Sequence, residues 1–264
     1  MIGVFGGSGF YSLLEKHEKR ETSTPFGPPS SLLHFGNVGK KEVIFLARHG
    51  DNHHLPPHKI PYKANVWAMH EYGAKRILAP SAVGSLKKEI EPGTFVIPDQ
   101  FINFTHGRDD TFYSGKHEIT DLSPVTHISA SDPYCPKLSK ILAESCKELK
   151  VPFRTGGTII VIQGPRFSTK AESAFFQQHG DIINMTQYPE CVLARELQIC
   201  YANISLVTDY DTGLGLHKSV SAEEVLRVFR ENTEKLKQVI LRTIEKIDYD
   251  DCSCMHSMEG ARFK

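Results

Sequence analysis

The chain lacks a surplus of either charge. Its 264 residues carry 31 lysines and arginines against 31 aspartates and glutamates. A binder of nucleic acid or of an anionic membrane surface needs a basic excess, so neither is expected as a partner. No apolar run approaches the roughly 20 residues of a membrane span. The opening Met1-Ile2-Gly3-Val4-Phe5 enters a strand-like segment without the basic-then-apolar layout of a secretory signal, so a cytoplasmic location is expected. Internal repeats, low-complexity runs and linkers are missing too. One domain over 1–264 is therefore predicted, with 250–264 as a tail of no periodicity. The lone tryptophan, Trp67, reads as core.

What the chain does have is apolar runs of strand length that end in polar, Gly/Pro-shaped segments. Residues 181–183 read as a strand, and Pro189 suits the first position of a following helix. Asn184, Met185, Thr186 and Glu190 then lie where an α/β fold presents ligand contacts, at the carboxyl end of a strand. Residues 158–162 lead in the same way to Gln163-Gly164-Pro165-Arg166-Phe167-Ser168. Residues 202–207 lead to Thr208-Asp209-Tyr210-Asp211. A strand at 76–79 is expected to end in a small-residue loop, Ser81-Ala82-Val83-Gly84-Ser85, able to approach an anion.

Residues 2–5 form a further strand before Gly6-Gly7-Ser8-Gly9, which reads as either an anion cradle or a tight turn. A dinucleotide fingerprint is discounted, because Thr24-Pro25-Phe26-Gly27-Pro28-Pro29 interrupts any full helix after it. The strands at 32–35 and 42–46 precede Arg48-His49, a cationic pair suited to a dianion. His53, His54 and His58 match no metal-ligand spacing, so no metal is expected. Helices are predicted over 61–72 and 136–150, and after two capping boxes: Thr169 with Glu172, and Ser221 with Glu224. The last runs to about residue 247.

Anion donors at one end (Ser8, Arg48, His49, Ser81) and paired carboxylates at the other (Asp209, Asp211) suit a reaction between phosphate and a departing base. Two close carboxylates resist ionising together, so one can hold a proton.

The motifs Gly6-Gly7-Ser8-Gly9, Thr24-Pro25-Phe26-Gly27, Ala47-Arg48-His49-Gly50, Gly84-Ser85-Leu86, Gly164-Pro165-Arg166-Phe167-Ser168, Ile183-Asn184-Met185-Thr186 and Thr208-Asp209-Tyr210-Asp211 occur in one order. Over residues 2–247 the chain resembles the trimer-forming purine nucleoside phosphorylases, and within them the branch that acts on 5'-methylthioadenosine. That resemblance implies a single α/β domain with a mixed, partly barrel-like central sheet surrounded by helices. It implies phosphorolysis with inorganic phosphate as co-substrate, no cofactor, and a homotrimer or a hexamer built from two trimers. Phosphate would lie at Ser8, Arg48, His49, Ser81, Ala82 and Thr186. Ala82 and Met185 match ribose positions. Phe167, Ser168, Ile183, Asn184 and Thr208 match the base pocket. Asp209 and Asp211 match the residues that face the purine's N7 and 6-amino group, and with His49 they are the expected catalytic set. Val225 and Leu226 match an apolar wall around the methylthio group, and His127 a residue lent by a neighbouring subunit. Rival readings are a phosphorylase of 6-oxopurine nucleosides, a nucleoside-binding protein without turnover, and a metal-dependent hydrolase. The resemblance to heat-adapted relatives also implies a disulfide, with Cys252-Ser253-Cys254 and Cys135 or Cys200 as its members.

Overall fold

Alternation along the central strands builds two cores from one sheet. In a strand, neighbouring side chains point to opposite faces. Val4, Leu78 and Ala202 face one core, and their neighbours Phe5, Ile77 and Tyr201 face the other. Because both faces are covered, these strands read as continuous apolar runs, as buried parallel strands do.

The computed structural model describes residues 1–6, 14, 17–115, 122, 125–212, 214 and 221–262. Eleven strands form one mixed sheet. They are β1 (Ile2–Gly6), β2 (His17–Arg20), β3 (Leu33–Val38), β4 (Lys41–Ala47), β5 (Arg76–Ser85), β6 (Phe95–Ile97), β7 (Gln100–Phe104), β8 (Phe153–Thr155), β9 (Thr158–Ile162), β10 (Ile182–Asn184) and β11 (Cys200–Tyr210). The main path runs β2-β3-β4-β1-β5-β10-β9-β7, and β11, β6 and β8 branch from β5. The expected mixed α/β architecture is present, but the sheet does not close into a barrel. The short strands β2 and β8 carry too little apolar sequence to be visible in advance.

Among the described residues five α-helices cover the sheet: α1 (Tyr62–Glu71), α2 (Pro136–Glu148), α3 (Lys170–Phe176), α4 (Gln187–Glu196) and α5 (Ala222–Lys246). Helices α2 and α5 pack Leu138, Leu142, Leu236 and Ile240 on one core. Helices α1 and α4 pack Val66, Met69, Leu193 and Ala194 on the other. The box at α3 is complete, with the Thr169 hydroxyl and the Glu172 carboxylate each accepting from the other's backbone N–H. At α5 the Ser221 hydroxyl accepts from the Glu224 N–H, while the Glu224 carboxylate turns to Arg227. Helix α3 stops at Phe176.

Two expected loops are strand. The stretch 81–85 completes β5, and Thr208 to Tyr210 complete β11, because these two strands pair in parallel over their whole length. Isolated, each stretch has turn-like small and polar residues; paired, its backbone groups are satisfied in the ladder. The expected tail is also ordered, with buried Cys252, Cys254 and Ala261 and a bridge between Thr126 and Arg262.

Candidate active site

Gly84 is where the predicted base-pocket residues meet. On one side β10 runs antiparallel to β5 and sets Ile183 against Gly84. On the other, β11 sets Asp209 against it, after a register shift between Val207 and Asp209. The extra residue, Thr208, is a bulge that re-aims the side chain following it. A Cβ on Gly84 would stand 3.1 Å from Asp209 Oδ1, 3.1 Å from Ile183 Cγ2 and 3.7 Å from Asp211 Cβ. Only a glycine lets all three approach.

The two carboxylates differ in surroundings. Burial pushes Asp209 up to about 6; the Thr208 hydroxyl opposes this, and Asp211 and Glu224 reinforce it. Thr208 Oγ1 donates to Asp209 Oδ2 at 2.8 Å and also reaches the Val83 carbonyl at 3.2 Å. Asp211 is 5 % exposed, and burial raises its pKa against the pull of the Ser173 and Ser168 hydroxyls. Among the described residues, Asp211 Oδ2, Ser168 Oγ and both amide atoms of Asn184 are buried without a hydrogen bond of good geometry. Each such group costs about 1–3 kcal/mol if left unpaired. Such unpaired atoms leave hydrogen-bonding capacity for a polar ligand.

The other end holds the predicted anion donors, and here the structure corrects the expected cationic pair. Arg48 is buried, and donates from Nε and Nη2 to the two oxygens of Glu190 at 2.6 and 2.7 Å, and from Nη1 to the Pro80 carbonyl at 3.2 Å. Burial works against the guanidinium charge, but Glu190 outweighs it and raises the Arg48 pKa. Glu190, at the start of α4, also accepts from the Tyr201 hydroxyl at 2.7 Å. Three of the five guanidinium N–H groups are thus committed, which leaves two for another acceptor. His49 is neutral: burial pushes it down to about 4, with Arg48 and His53 adding to this. Its Nδ1 lies 2.8 Å from the Leu55 carbonyl, which can only accept. Nδ1 therefore carries the proton and Nε2 presents a lone pair.

Ser81 sits on β5 opposite Ser205 of β11. Asn203 Nδ2 donates to Ser81 Oγ at 3.1 Å, and Ser205 Oγ donates to Asn203 Oδ1 at 2.5 Å. Since Ser81 Oγ already accepts, its own proton is free for Ser205 Oγ, 3.2 Å away, or for an anion. Sequence reading missed Asn203 and Ser205, because nothing local distinguishes them from other residues of an apolar run. Ala82 follows Ser81 on β5, and buried Thr186 caps α4 without a side-chain cap bond.

Arg108 was missed as well. From the irregular stretch after β7 its guanidinium donates to the carbonyls of Gln163 (3.0 Å), Met185 (3.0 Å) and Tyr188 (2.5 Å). It thereby joins the segment after β9 to the segment after β10. Gly164, at φ +63°, lies against Met185, whose Sδ would be 2.5 Å from a Cβ there. A separate surface cleft lined by Phe26, His58, Tyr62, Lys63, Arg108 and Asp109 contains none of the carboxylates above.

Some predicted residues are not brought together. Ser8 lies outside the described residues. Phe167 is 37 % and Leu226 49 % exposed. Val225 is half-buried at the start of α5, next to Glu224, which is near enough to raise Asp209. His127 is exposed, its backbone N–H bonded to the Ala261 carbonyl at 2.8 Å. The expected disulfide is not confirmed: none of the six cysteine sulfurs lies at bonding distance from another. Yet the four named as its members do converge.

No helix among the described residues is long and apolar enough to cross a membrane. The model of the phosphorylase superfamily matches residues 1–245. The chain is 50 % identical to the S-methyl-5'-thioadenosine phosphorylase of Pyrococcus furiosus, over 96 % of this chain and 95 % of that one. It is 43 % identical to the purine nucleoside phosphorylase of Streptomyces coelicolor, over 98 % and 94 %. Among solved structures, methylthioadenosine phosphorylase from Schistosoma mansoni in complex with adenine superposes with a TM-score of 0.92 at 34 % identity, over 99 % and 98 % of the two chains. With its fold and nearly its whole length matched in this way, the chain belongs to the phosphorylase superfamily.

Proposed function

We propose that the protein cleaves 5'-methylthioadenosine with inorganic phosphate, releasing adenine and 5-methylthioribose 1-phosphate. The observation that carries this reading is the order of groups along β5. Ser81 stands opposite Ser205, Ala82 opposite Leu206, and Gly84 opposite Asp209. Three residues of strand span about 10 Å. An anion site and a base site that far apart along one strand suit the two ends of a phosphorolysed nucleoside, with the ribose between them. Relatives named for this activity support the reading.

In this mechanism the two free N–H groups of Arg48 and the Ser81 hydroxyl donate to phosphate. Neutral His49 accepts, through Nε2, the hydrogen bond of the phosphate's own hydroxyl. A phosphate oxygen attacks C1' as the C1'–N9 bond breaks, and the electron pair of that bond goes to the purine. Asp209, with its pKa near 6, gives a proton to N7 so that adenine leaves neutral. Asp211 Oδ2 accepts from the 6-amino group, and Asn184 supplies the amide contacts. Most of the rate enhancement is positioning and electrostatic stabilisation. No cofactor enters this scheme.

The Streptomyces relative is named for purine nucleosides at large, and a second reading takes a 6-oxopurine as the base. An ionised Asp211 oxygen would then face a carbonyl oxygen, acceptor against acceptor. A 6-aminopurine meets it with a donor, so the adenine nucleoside is the better fit.

The working unit we propose is a homotrimer. Strand β7 ends the main sheet path, and its Ile102 and Phe104 are exposed beside Phe175 of α3, with the Phe104 and Phe175 rings 6.0 Å apart. An apolar patch on a sheet edge favours burial by a second copy. His127, exposed, is the residue the trimer would lend to a neighbour's site.

Incubation of the purified protein with methylthioadenosine, with and without phosphate, tests the reaction. Adenine and the sugar phosphate should form only when phosphate is present. Adenine release at equal rates without phosphate would make the protein a hydrolase, and no release with either would leave it a binder.

A further inference from the structure

The proposed reaction leaves unused a cluster at the opposite end of β11. Cys135 caps the N-terminus of α2, Cys200 opens β11, and Cys252 and Cys254 flank Ser253 in the C-terminal segment. All four are buried, and their sulfurs all lie within 4.8 Å of one another. Cys135 Sγ and Cys252 Sγ are 3.6 Å apart. Zinc takes four thiolates tetrahedrally at about 2.3 Å each, which sets the sulfurs about 3.8 Å from one another. Two disulfides would instead draw the sulfurs into pairs about 2 Å apart, with no common centre.

The start of α2 offers donors to a sulfur ligand. The N-terminus of α2 points its positive end at Cys135, and the Leu138 N–H donates to Cys135 Sγ at 3.5 Å. Such N–H···S bonds orient a sulfur ligand and offset its charge. Two cations grip the chain just ahead of Cys252: Arg76 donates to the Asp250 carbonyl at 2.7 Å and Lys137 to the Asp251 carbonyl at 2.6 Å.

We propose that Cys135, Cys200, Cys252 and Cys254 form a closed structural site for one tetrahedral divalent ion of the zinc class. Binding exchanges four thiol protons for one ion and leaves two negative charges on the site, with no change of oxidation state. All four ligand positions come from the chain, so the site is structural and not catalytic. The ion ties the segment after α5 to the base of β11 and the start of α2. That segment continues to Ala261, whose carbonyl holds the His127 N–H.

The test is metal analysis of the full-length protein, purified with reductant and without chelator. About one zinc per chain is expected, falling below about 0.2 in Cys252→Ser and Cys254→Ser. Exchange with cobalt(II) should give the intense visible bands of a tetrahedral thiolate site. Stripping the metal from the wild type should lower Tm by about 5 °C or more. If the variants do not fold, titration of wild-type thiols with a mercurial should release the zinc stoichiometrically. Metal-free protein with fewer than six titratable thiols would establish disulfides instead, and metal-free protein with all six would make the cluster only packed thiols. Either overturns the proposal, as does metal retained by both serine variants.

Discussion

The two ends of the site solve opposite problems. At the proposed phosphate end each group is held by a partner: Arg48 by Glu190, Glu190 by Tyr201, and Ser81 by Asn203. At the proposed base end Asn184, Ser168 and Asp211 keep buried polar atoms without a hydrogen bond of good geometry. A small anion binds by charge, so its donors must be held rigid in advance and their cationic excess restrained. A base is recognised by hydrogen bonds, so its contacts stay open until it arrives. The phosphate end should therefore respond to mutation through stability, and the base end through turnover.

Asp209→Asn gives the sharpest form of that contrast. Loss of the proton donor should lower kcat/KM for methylthioadenosine by about 10²–10⁴-fold. Stability should move the other way. The folded pKa of Asp209 is raised from 3.8 to about 6, so its favourable contribution is present below pH 3.8 and lost as pH rises through 6. The asparagine variant should thus gain up to about 2 kcal/mol over wild type at pH 8, with the gain vanishing near pH 4, as denaturant titrations at the two pH values will show. Turnover within threefold of wild type would place the proton elsewhere.

Glu190→Ala should do the reverse. It strands a buried guanidinium and should cost about 3–5 kcal/mol, a fall in Tm on the order of 10 °C by calorimetry. KM for phosphate should rise, while the KM for nucleoside changes little. An unchanged Tm would mean that water replaces the carboxylate and that the phosphate end is not rigidly pre-paired.

Gly84→Ala probes the base end by crowding. The added methyl meets Asp209 and Ile183 at 3.1 Å, which should displace both and cost about 1–3 kcal/mol in transition-state binding, roughly tenfold or more in kcat/KM. KM for phosphate should stay within twofold, roughly 0.4 kcal/mol, because Ser81 lies three residues away on the strand. Equal loss at both ends would break the division.

The smallest effect is expected at Val225→His, at the start of α5. A histidine there offers a hydrogen bond to a 5'-hydroxyl that valine does not, and should shift the kcat/KM ratio toward adenosine by about tenfold. A parallel fall of both activities would show that Val225 only packs the helix.

The sequence by itself determined what depends on neighbours along the chain. The Thr169–Glu172 capping box, the Ser221 cap, the apolar runs of β4, β9 and β11, and the helical spacing of α2 and α5 were all legible, because their signals repeat within a turn or a strand. Motif order added the family and the residues expected at its site. The tertiary structure decided whatever depends on register and distance. Residues 81–85 became strand only because β11 lies beside them. Arg48 found its carboxylate 142 residues away, and Arg108 its carbonyls in two other segments. Two cysteines of an unpatterned tail came to rest on two others from different elements. None of these pairings has a local signature, since a strand segment is stable only with the partner that satisfies its backbone, and a buried charge only with the one that neutralises it.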